Sequence, residues 1–276
     1  MPRRALPRHC DAIRHSFTSA AWMGVCAVKY ETAVFDLDGI LLENGFLTHE
    51  GKEAVRLLID RGVHVIYSSG KNYWYTVGGL SFSHLLQDDT VVIAENGGII
   101  FYPSTLRKDI INDHGPSIGE IARSFKQRYC SYEGGQLVYM PSGNRVWEEP
   151  KETIFTLFPT VLKDIPEMQQ HLDELIHDTN APLYTVAHSD AIDTVPKGQD
   201  KGRALEHLER QGTLSLATTI AFGDGENDRE MLSIAGLPVT VANASPSIKD
   251  LTRSRNGIVT SKRCGLGVLE AVRLLL

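Results

Sequence analysis

At 276 residues, 42% hydrophobic and 22% charged, the chain can bury a sizeable core as one large domain or two smaller ones, and it is neither disordered nor fibrous. A formal net charge of −6 argues against nucleic acid or an anionic membrane surface as its main partner. No apolar run approaches the ~20 residues of a membrane span.

Residues 1–29 read as an N-terminal extension that is expected to be poorly ordered. Arg3, Arg4, Arg8 and Arg14 precede a mildly apolar stretch, Ala20 to Val28, but Gly24 interrupts it and Lys29 ends it. That is a weak match to a signal peptide, and a true start at Met23 is an alternative. Cys10, Cys26, Cys130 and Cys264 have neither C-x-x-C nor zinc spacing, which suits free thiols in a reducing, cytoplasmic setting.

The first clear strand is the apolar run Ala33-Val34-Phe35, which stops at Asp36-Leu37-Asp38-Gly39. Two carboxylates two residues apart at a strand end can face one crevice, and Gly39 permits a sharp turn there. Alone, this is better explained by an acidic turn. Thr48 is a plausible N-cap for a helix carrying Ala54, Leu57 and Leu58, which Gly62 ends. A second β run, Val63 to Tyr67, delivers Ser68-Ser69-Gly70-Lys71-Asn72 to its end. A helical stretch, Tyr73 to Leu86, then leads to Val91-Val92-Ile93-Ala94 and Glu95-Asn96-Gly97-Gly98. Strands alternating with helices predict βαβ units and a parallel sheet.

From about Tyr102 the pattern changes. A helix over 116–129, β runs at 136–140, 145–147 and 152–158, a helix over 165–177, and β runs at 183–187 and 191–195 suggest a separate α+β unit. The first pattern resumes with a helix over 201–210 and a strand over 218–222 that ends in Gly223-Asp224-Gly225-Glu226-Asn227-Asp228. A strand over 238–241 and a closing helix over 267–276 follow. The expected architecture is α/β: a Rossmann-like parallel-sheet core over 30–102 and 194–276, with an inserted α+β cap over 103–193.

Four motifs in order resemble those of the haloacid dehalogenase phosphatase superfamily, with the cap placed as in its Cof-type branch. They are Asp36-Leu37-Asp38-Gly39, Ser69 before Gly70, Lys201 before Gly202-Arg203-Ala204-Leu205, and Gly223-Asp224-Gly225-Glu226-Asn227-Asp228. The resemblance covers residues 31–276. It is also similar to archaeal phosphoglycolate phosphatases at Ser69-Gly70-Lys71-Asn72, Glu95-Asn96-Gly97-Gly98 and Ala242-Asn243-Ala244. Ile40 departs from the threonine usual after D-x-D-G, which removes a loop-fixing hydroxyl but no reacting group.

The resemblance implies a Mg²⁺-dependent phosphatase acting on a small anionic phosphate ester. Asp36 would attack phosphorus and form an aspartyl-phosphate, and Asp38 would protonate the leaving oxygen and later deprotonate water. Asp36, the Asp38 backbone carbonyl, Asp224 and Asp228 would surround the metal, an oxygen set that suits Mg²⁺. Ser69 and Lys201 would hold the phosphoryl oxygens, with Lys201 also restraining Asp36. Gly70, Asn96 and Asn227 would lie near the substrate. Lys197 competes with Lys201, which is preferred for its place at a helix start. Asp228 has the alternative of merely capping the following helix.

Asn144-Arg145-Val146-Trp147-Glu148-Glu149-Pro150 in the cap resembles a segment of mannosyl-3-phosphoglycerate and sucrose-phosphate phosphatases. Arg145 would read a carboxylate or second phosphate through its planar fork, and Glu149 would take sugar hydroxyls. A surface salt bridge from Arg145 to Glu148 or Glu149 is an equal reading. The substrate is thus phosphoglycolate or a sugar phosphate. A phosphomutase and a non-catalytic regulatory protein of the same fold are the rival functions, and a homodimer is compatible with all of them.

Overall fold

The computed structural model describes residues 30–111 and 115–276; the expectations for residues 1–29 fall outside them. The first segment contains β1 (Thr32–Asp36), a small hairpin of β2 (Leu42–Glu43) and β3 (Phe46–Leu47), and α1 (His49–Asp60). β4 (His64–Ser68), α2 (Tyr73–Phe82), β5 (Val91–Ala94), β6 (Ile99–Tyr102) and β7 (Arg107–Ile110) complete it. The central segment holds α3 (Gly115–Tyr129), β8 (Cys130–Glu133), β9 (Gln136–Tyr139), β10 (Asn144–Glu149) and β11 (Phe155–Pro159). α4 (Ile165–Thr179), β12 (Leu183–Ala187) and β13 (Ile192–Pro196) close that segment. The last segment is α5 (Lys201–Arg210), β14 (Thr219–Phe222), α6 (Arg229–Ile234), β15 (Leu237–Thr240), α7 (Pro246–Ser254), β16 (Ile258–Val259) and α8 (Cys264–Leu275).

An eight-stranded sheet runs β16-β15-β14-β1-β4-β5-β6-β7. Its first six strands are parallel and the last two antiparallel. β1 lies centrally, buried along its whole length, because Ala33, Val34 and Phe35 pack into apolar layers on both faces of the sheet. Phe35 and Phe222 stack across the β1–β14 pair at 4.4 Å. The strand order reverses around β1, so its carboxyl end opens into a crevice, the usual ligand position in such sheets.

The second sheet, β12-β13-β11-β10-β9-β8, is antiparallel. Period-two alternation divides its strands between two faces. Val146, Phe155, Leu157 and Ile192 join residues of α3 and α4, among them Phe125 and Leu172, in a separate core. The opposite face carries Trp147, Glu149, Thr156, Phe158 and Asp193 toward a cavity shared with the ends of β1, β5 and β14.

The sheet boundaries differ from those expected at 102/103 and 193/194. β7 joins the larger sheet, and all of β13 joins the smaller one. β7 is an edge strand with the largely exposed sequence Arg-Lys-Asp-Ile, so no apolar run announces it. The expected β run at 152–158 begins instead at Phe155. Glu152 and Thr153 form a crossing strap that bonds to the larger sheet's Glu95, as described below.

Candidate active site

Three carboxylates converge at the ends of β1 and β14. Asp36 closes β1, and the turn after β14 supplies Asp224 and Asp228. One carboxylate oxygen from each lies within 4.8 Å of the others. Gly39, with φ +75°, lets the chain after β1 pass against them: a Cβ there would sit 2.0 Å from Asp224 Oδ2.

Lys201, the first residue of α5, enters from below. Its ammonium is fully buried and donates to Asp36 Oδ1 and Asp228 Oδ1, both at 2.6 Å. Asp228 Oδ2 accepts from the backbone N–H groups of Asp224 (2.9 Å) and Gly225 (3.0 Å), which holds the turn closed. Asp228 is therefore a brace between lysine and loop, and the site side of Asp36 and Asp224 is left open.

Burial works against the Lys201 charge, but Asp228 and Asp36 together outweigh it and keep its pKa above the ordinary lysine value. One ammonium cannot neutralise three carboxylates. Burial, reinforced by the Asp228 charge and opposed by Lys201, pushes Asp36 well above the ordinary carboxylate range. Asp224 is pushed up to about 6, chiefly by burial and then by Asp228.

Asp38 stands apart from this cluster. Its exposed side chain lines the cavity and forms an ion pair with Lys71. Ser69, buried just past the end of β4, accepts from the Lys71 N–H at 3.1 Å. Gly70 and Asn96 line the cavity, and Asn227 donates to Asn96 Oδ1 at 3.2 Å. Glu149 lines it from the cap side, accepting from the Asn72 N–H at 3.2 Å and pairing with Lys151 at 2.8 Å.

Two placements differ from expectation. Arg145 is exposed and does not line the cavity; it shares the open face of β10 with Trp147 and Glu149 but lies farther along the strand. It makes no salt bridge to Glu148 or Glu149, whose partners are Lys126 and Lys151. Lys201 lies beneath the cavity and not on its wall, so its contacts are with carboxylates.

Several residues around the site had no role assigned to them from the sequence, although Glu95 and Asn243 lie in segments singled out there. Asn243, just past β15, donates to both Asp224 Oδ2 and Gly39 O at 2.9 Å and so ties the two acidic loops together. Its place at a strand end was the available signal. Glu95 has positive φ (52°), as do Asn96 (53°) and Gly97 (92°), a costly turn for the first two. The buried Glu95 carboxylate compensates by accepting from Thr153 N (2.7 Å), Thr153 Oγ1 (2.8 Å) and Glu152 N (3.0 Å), which fastens the cap's connecting strap to the core. Within the cap, Lys151 donates to Thr156, Thr156 to Asp193 at 2.5 Å, and Asp193 pairs with His188 at 3.1 Å.

The profile of the haloacid dehalogenase-like hydrolases matches residues 33–271. The chain belongs to that family. Over 86% of its length it is 28% identical to the phosphoglycolate phosphatase of Methanothermobacter thermautotrophicus, covering 95% of that protein. It is 26% identical to the HMP-PP phosphatase of Yersinia enterocolitica, over 80% of this chain and 86% of that one. The fold matches a haloacid dehalogenase-like hydrolase of Bacteroides thetaiotaomicron with a TM-score of 0.69, at 19% identity, over 90% of this chain and all of that one. As a family member with relatives so named, the chain is a phosphoric monoester hydrolase. No helix among the described residues is long and apolar enough to cross a membrane.

Proposed function

We propose that the chain is a Mg²⁺-dependent phosphatase that hydrolyses a small phosphate monoester through an aspartyl-phosphate at Asp36. The observation that carries this reading is the convergence of three carboxylates, two of them held by a single buried lysine, beneath a cavity of ≈ 700 Å³. The donor set fits the cation: clustered hard oxygens with excess negative charge, in a cradle that only a glycine at 39 leaves room for. Asp36, Asp224 and the Asp38 backbone carbonyl would hold it, with Asp228 behind them. When bound, it supplies the positive charge that lets a carboxylate approach a phosphate dianion.

The remaining work falls to the chain's own groups. Lys201 holds Asp36 Oδ1, which fixes the carboxylate and directs its other oxygen, Oδ2, toward phosphorus. Of the two roles expected of Lys201, positioning Asp36 is the one its burial favours. A bond forms from Asp36 to phosphorus as the ester P–O bond breaks, and Asp38 gives its proton to the departing oxygen. Asp38 then takes a proton from water, whose oxygen attacks phosphorus and releases Asp36. Ser69, Gly70, Asn96 and Asn227 surround the place of the phosphoryl oxygens. The substrate is phosphoglycolate or a sugar phosphate, in keeping with its relatives' names. The scattered cysteines support a cytoplasmic setting.

The test is phosphate release from phosphoglycolate, sugar phosphates and nucleotides, with Mg²⁺ and with a chelator in its place. Release that needs Mg²⁺ and vanishes in Asp36→Asn supports the reading. Undiminished release in the chelator, or by Asp36→Asn, refutes it.

A further inference from the structure

The cavity roof is made by the open face of the cap sheet, and its cations are already paired. Lys151 is held by Glu149 at 2.8 Å, and His188 by Asp193 at 3.1 Å. Asp190 adds a further carboxylate to the same wall. Three carboxylates thus face two cations, and no cation of the roof is left over for an anionic group on a substrate. Lys71, the cavity's remaining wall lysine, is paired with Asp38.

Beside these pairs lies an aromatic surface. Trp147 and Phe158 are directly opposed on β10 and β11, with ring centroids 5.0 Å apart, and both line the cavity. Trp147 is 56% exposed, so its ring is available and contributes little to the cap's own packing. His188 presents its second ring nitrogen, Nδ1, which has no protein partner among the described residues, because Nε2 is turned to Asp193. The imidazole is thereby oriented, and it can donate to a hydroxyl or a ring heteroatom.

We propose that Trp147, Phe158 and His188 form the subsite for the leaving group, and that this subsite selects an uncharged, ring-bearing ester over a short carboxylated one. The inference rests on the phosphatase reading and narrows it. A ring lies against Trp147 and Phe158, where its faces gain dispersion and replace water at an exposed aromatic surface. Hydroxyls or heteroatoms at the ring edge meet His188 and the acceptor oxygens of Asp190. A substrate carboxylate in the same place meets Asp190 without a compensating cation, and its desolvation goes unrewarded. Two-carbon esters also leave most of the ≈ 700 Å³ cavity unfilled.

Binding measured without turnover tests this. Calorimetry on Asp36→Asn protein with Mg²⁺ compares glucose 6-phosphate, p-nitrophenyl phosphate and phosphoglycolate. Both ring esters are expected to bind roughly tenfold more tightly than phosphoglycolate, an advantage that Trp147→Ala, made in the same protein, removes. His188→Ala is expected to weaken glucose 6-phosphate more than p-nitrophenyl phosphate, whose ring carries no hydroxyl. Phosphoglycolate binding as tightly as the ring esters, no binding of either ring ester, or an equal effect of Trp147→Ala on all three overturns the subsite. If the expected binding order is found while the unmutated protein releases no phosphate, the phosphatase reading fails and the subsite stands. Phosphate release without ring preference has the opposite meaning.

Discussion

In the core, six neighbouring strands run parallel and are covered on both faces, whereas the cap sheet is antiparallel and packs its helices on one face. The core therefore places its functional groups where the chain enters or leaves the apolar layers: Asp36 as the last residue of β1, Ser69 after β4, Asn96 after β5, Asp224 after β14, Asn243 after β15 and Lys201 at the start of α5. The cap instead offers every second residue along a strand, as with Trp147 and Glu149 on β10 or Thr156 and Phe158 on β11. A strand-end site is held by buried backbone and one lysine. A strand-face site can change residue by residue without disturbing the core beneath it. Under the proposed function the chemistry belongs to the first arrangement, and under the proposed subsite substrate choice belongs to the second.

Four perturbations separate the two regions. The largest effect is expected in the core: Asp36→Asn should lower phosphate release about a thousandfold or more while the protein stays folded. Matched circular dichroism and a phosphate assay check this, and near-normal turnover in the variant would sink the division of labour. Next is Lys201→Met, which strands two buried carboxylates and should cost about 3–5 kcal/mol of stability in urea unfolding. A change within error would mean that the lysine does not hold Asp36 and Asp228 in place.

At the junction, Glu95→Ala leaves the Thr153 and Glu152 donors without their acceptor and should cost about 1–3 kcal/mol. Proteolysis should then open the strap at residues 150–154 before it attacks the core, and uniform cleavage would contradict the strap's role. The smallest effect lies in the cap. Asp193 raises the His188 pKa, helped by Asp190 and opposed by burial and Lys151. Burial acts to raise the Asp193 pKa, but His188, Lys151 and Thr156 together depress it.

The two shifts define a pH window for the His188–Asp193 pair. The His188 contribution is complete below its ordinary value of 6.5 and is lost as pH rises through its raised value. The Asp193 contribution is present above 3.8 and lost as pH falls through its depressed value. The difference in melting temperature between the unmutated protein and His188→Asn should thus be greatest between about pH 4 and 6.5 and shrink above that range. His188 is partly exposed, so water screens the pair and the difference is small. A gap that widens toward alkaline pH would break the assignment.

Much of the core was legible from local pattern. Short apolar runs ending in small or acidic residues mark strands such as β1, β5 and β14 without any knowledge of their neighbours, because burial on both faces demands an uninterrupted apolar run. The α5 helix announces itself equally, with Lys201 at its start and Ala204, Leu205 and Leu208 as its apolar positions, and the structure adds Asp200 as its N-cap. The antiparallel edge strand β7 and the β2–β3 hairpin carry no such pattern. The largely exposed, polar sequence of β7 and the two-residue length of β2 and β3 are compatible with loop or strand, and pairing to a neighbour decides between them.

The chain's sequence determined its parallel core, its inserted cap and its family, because strand-end motifs depend on residues a few positions apart. Tertiary structure alone decided what those residues touch. Lys201 lies 165 positions from Asp36 and 27 from Asp228, yet its ammonium closes on both and leaves the cavity wall. Glu95 reaches 58 positions along the chain to hold the cap's strap. Arg145, the cation that stood out in the cap sequence, lies off the cavity, and His188 with Asp193 takes the wall. A one-dimensional reading supplies the identity of a side chain, but strand register and the meeting of two separately folded sheets determine which face it shows.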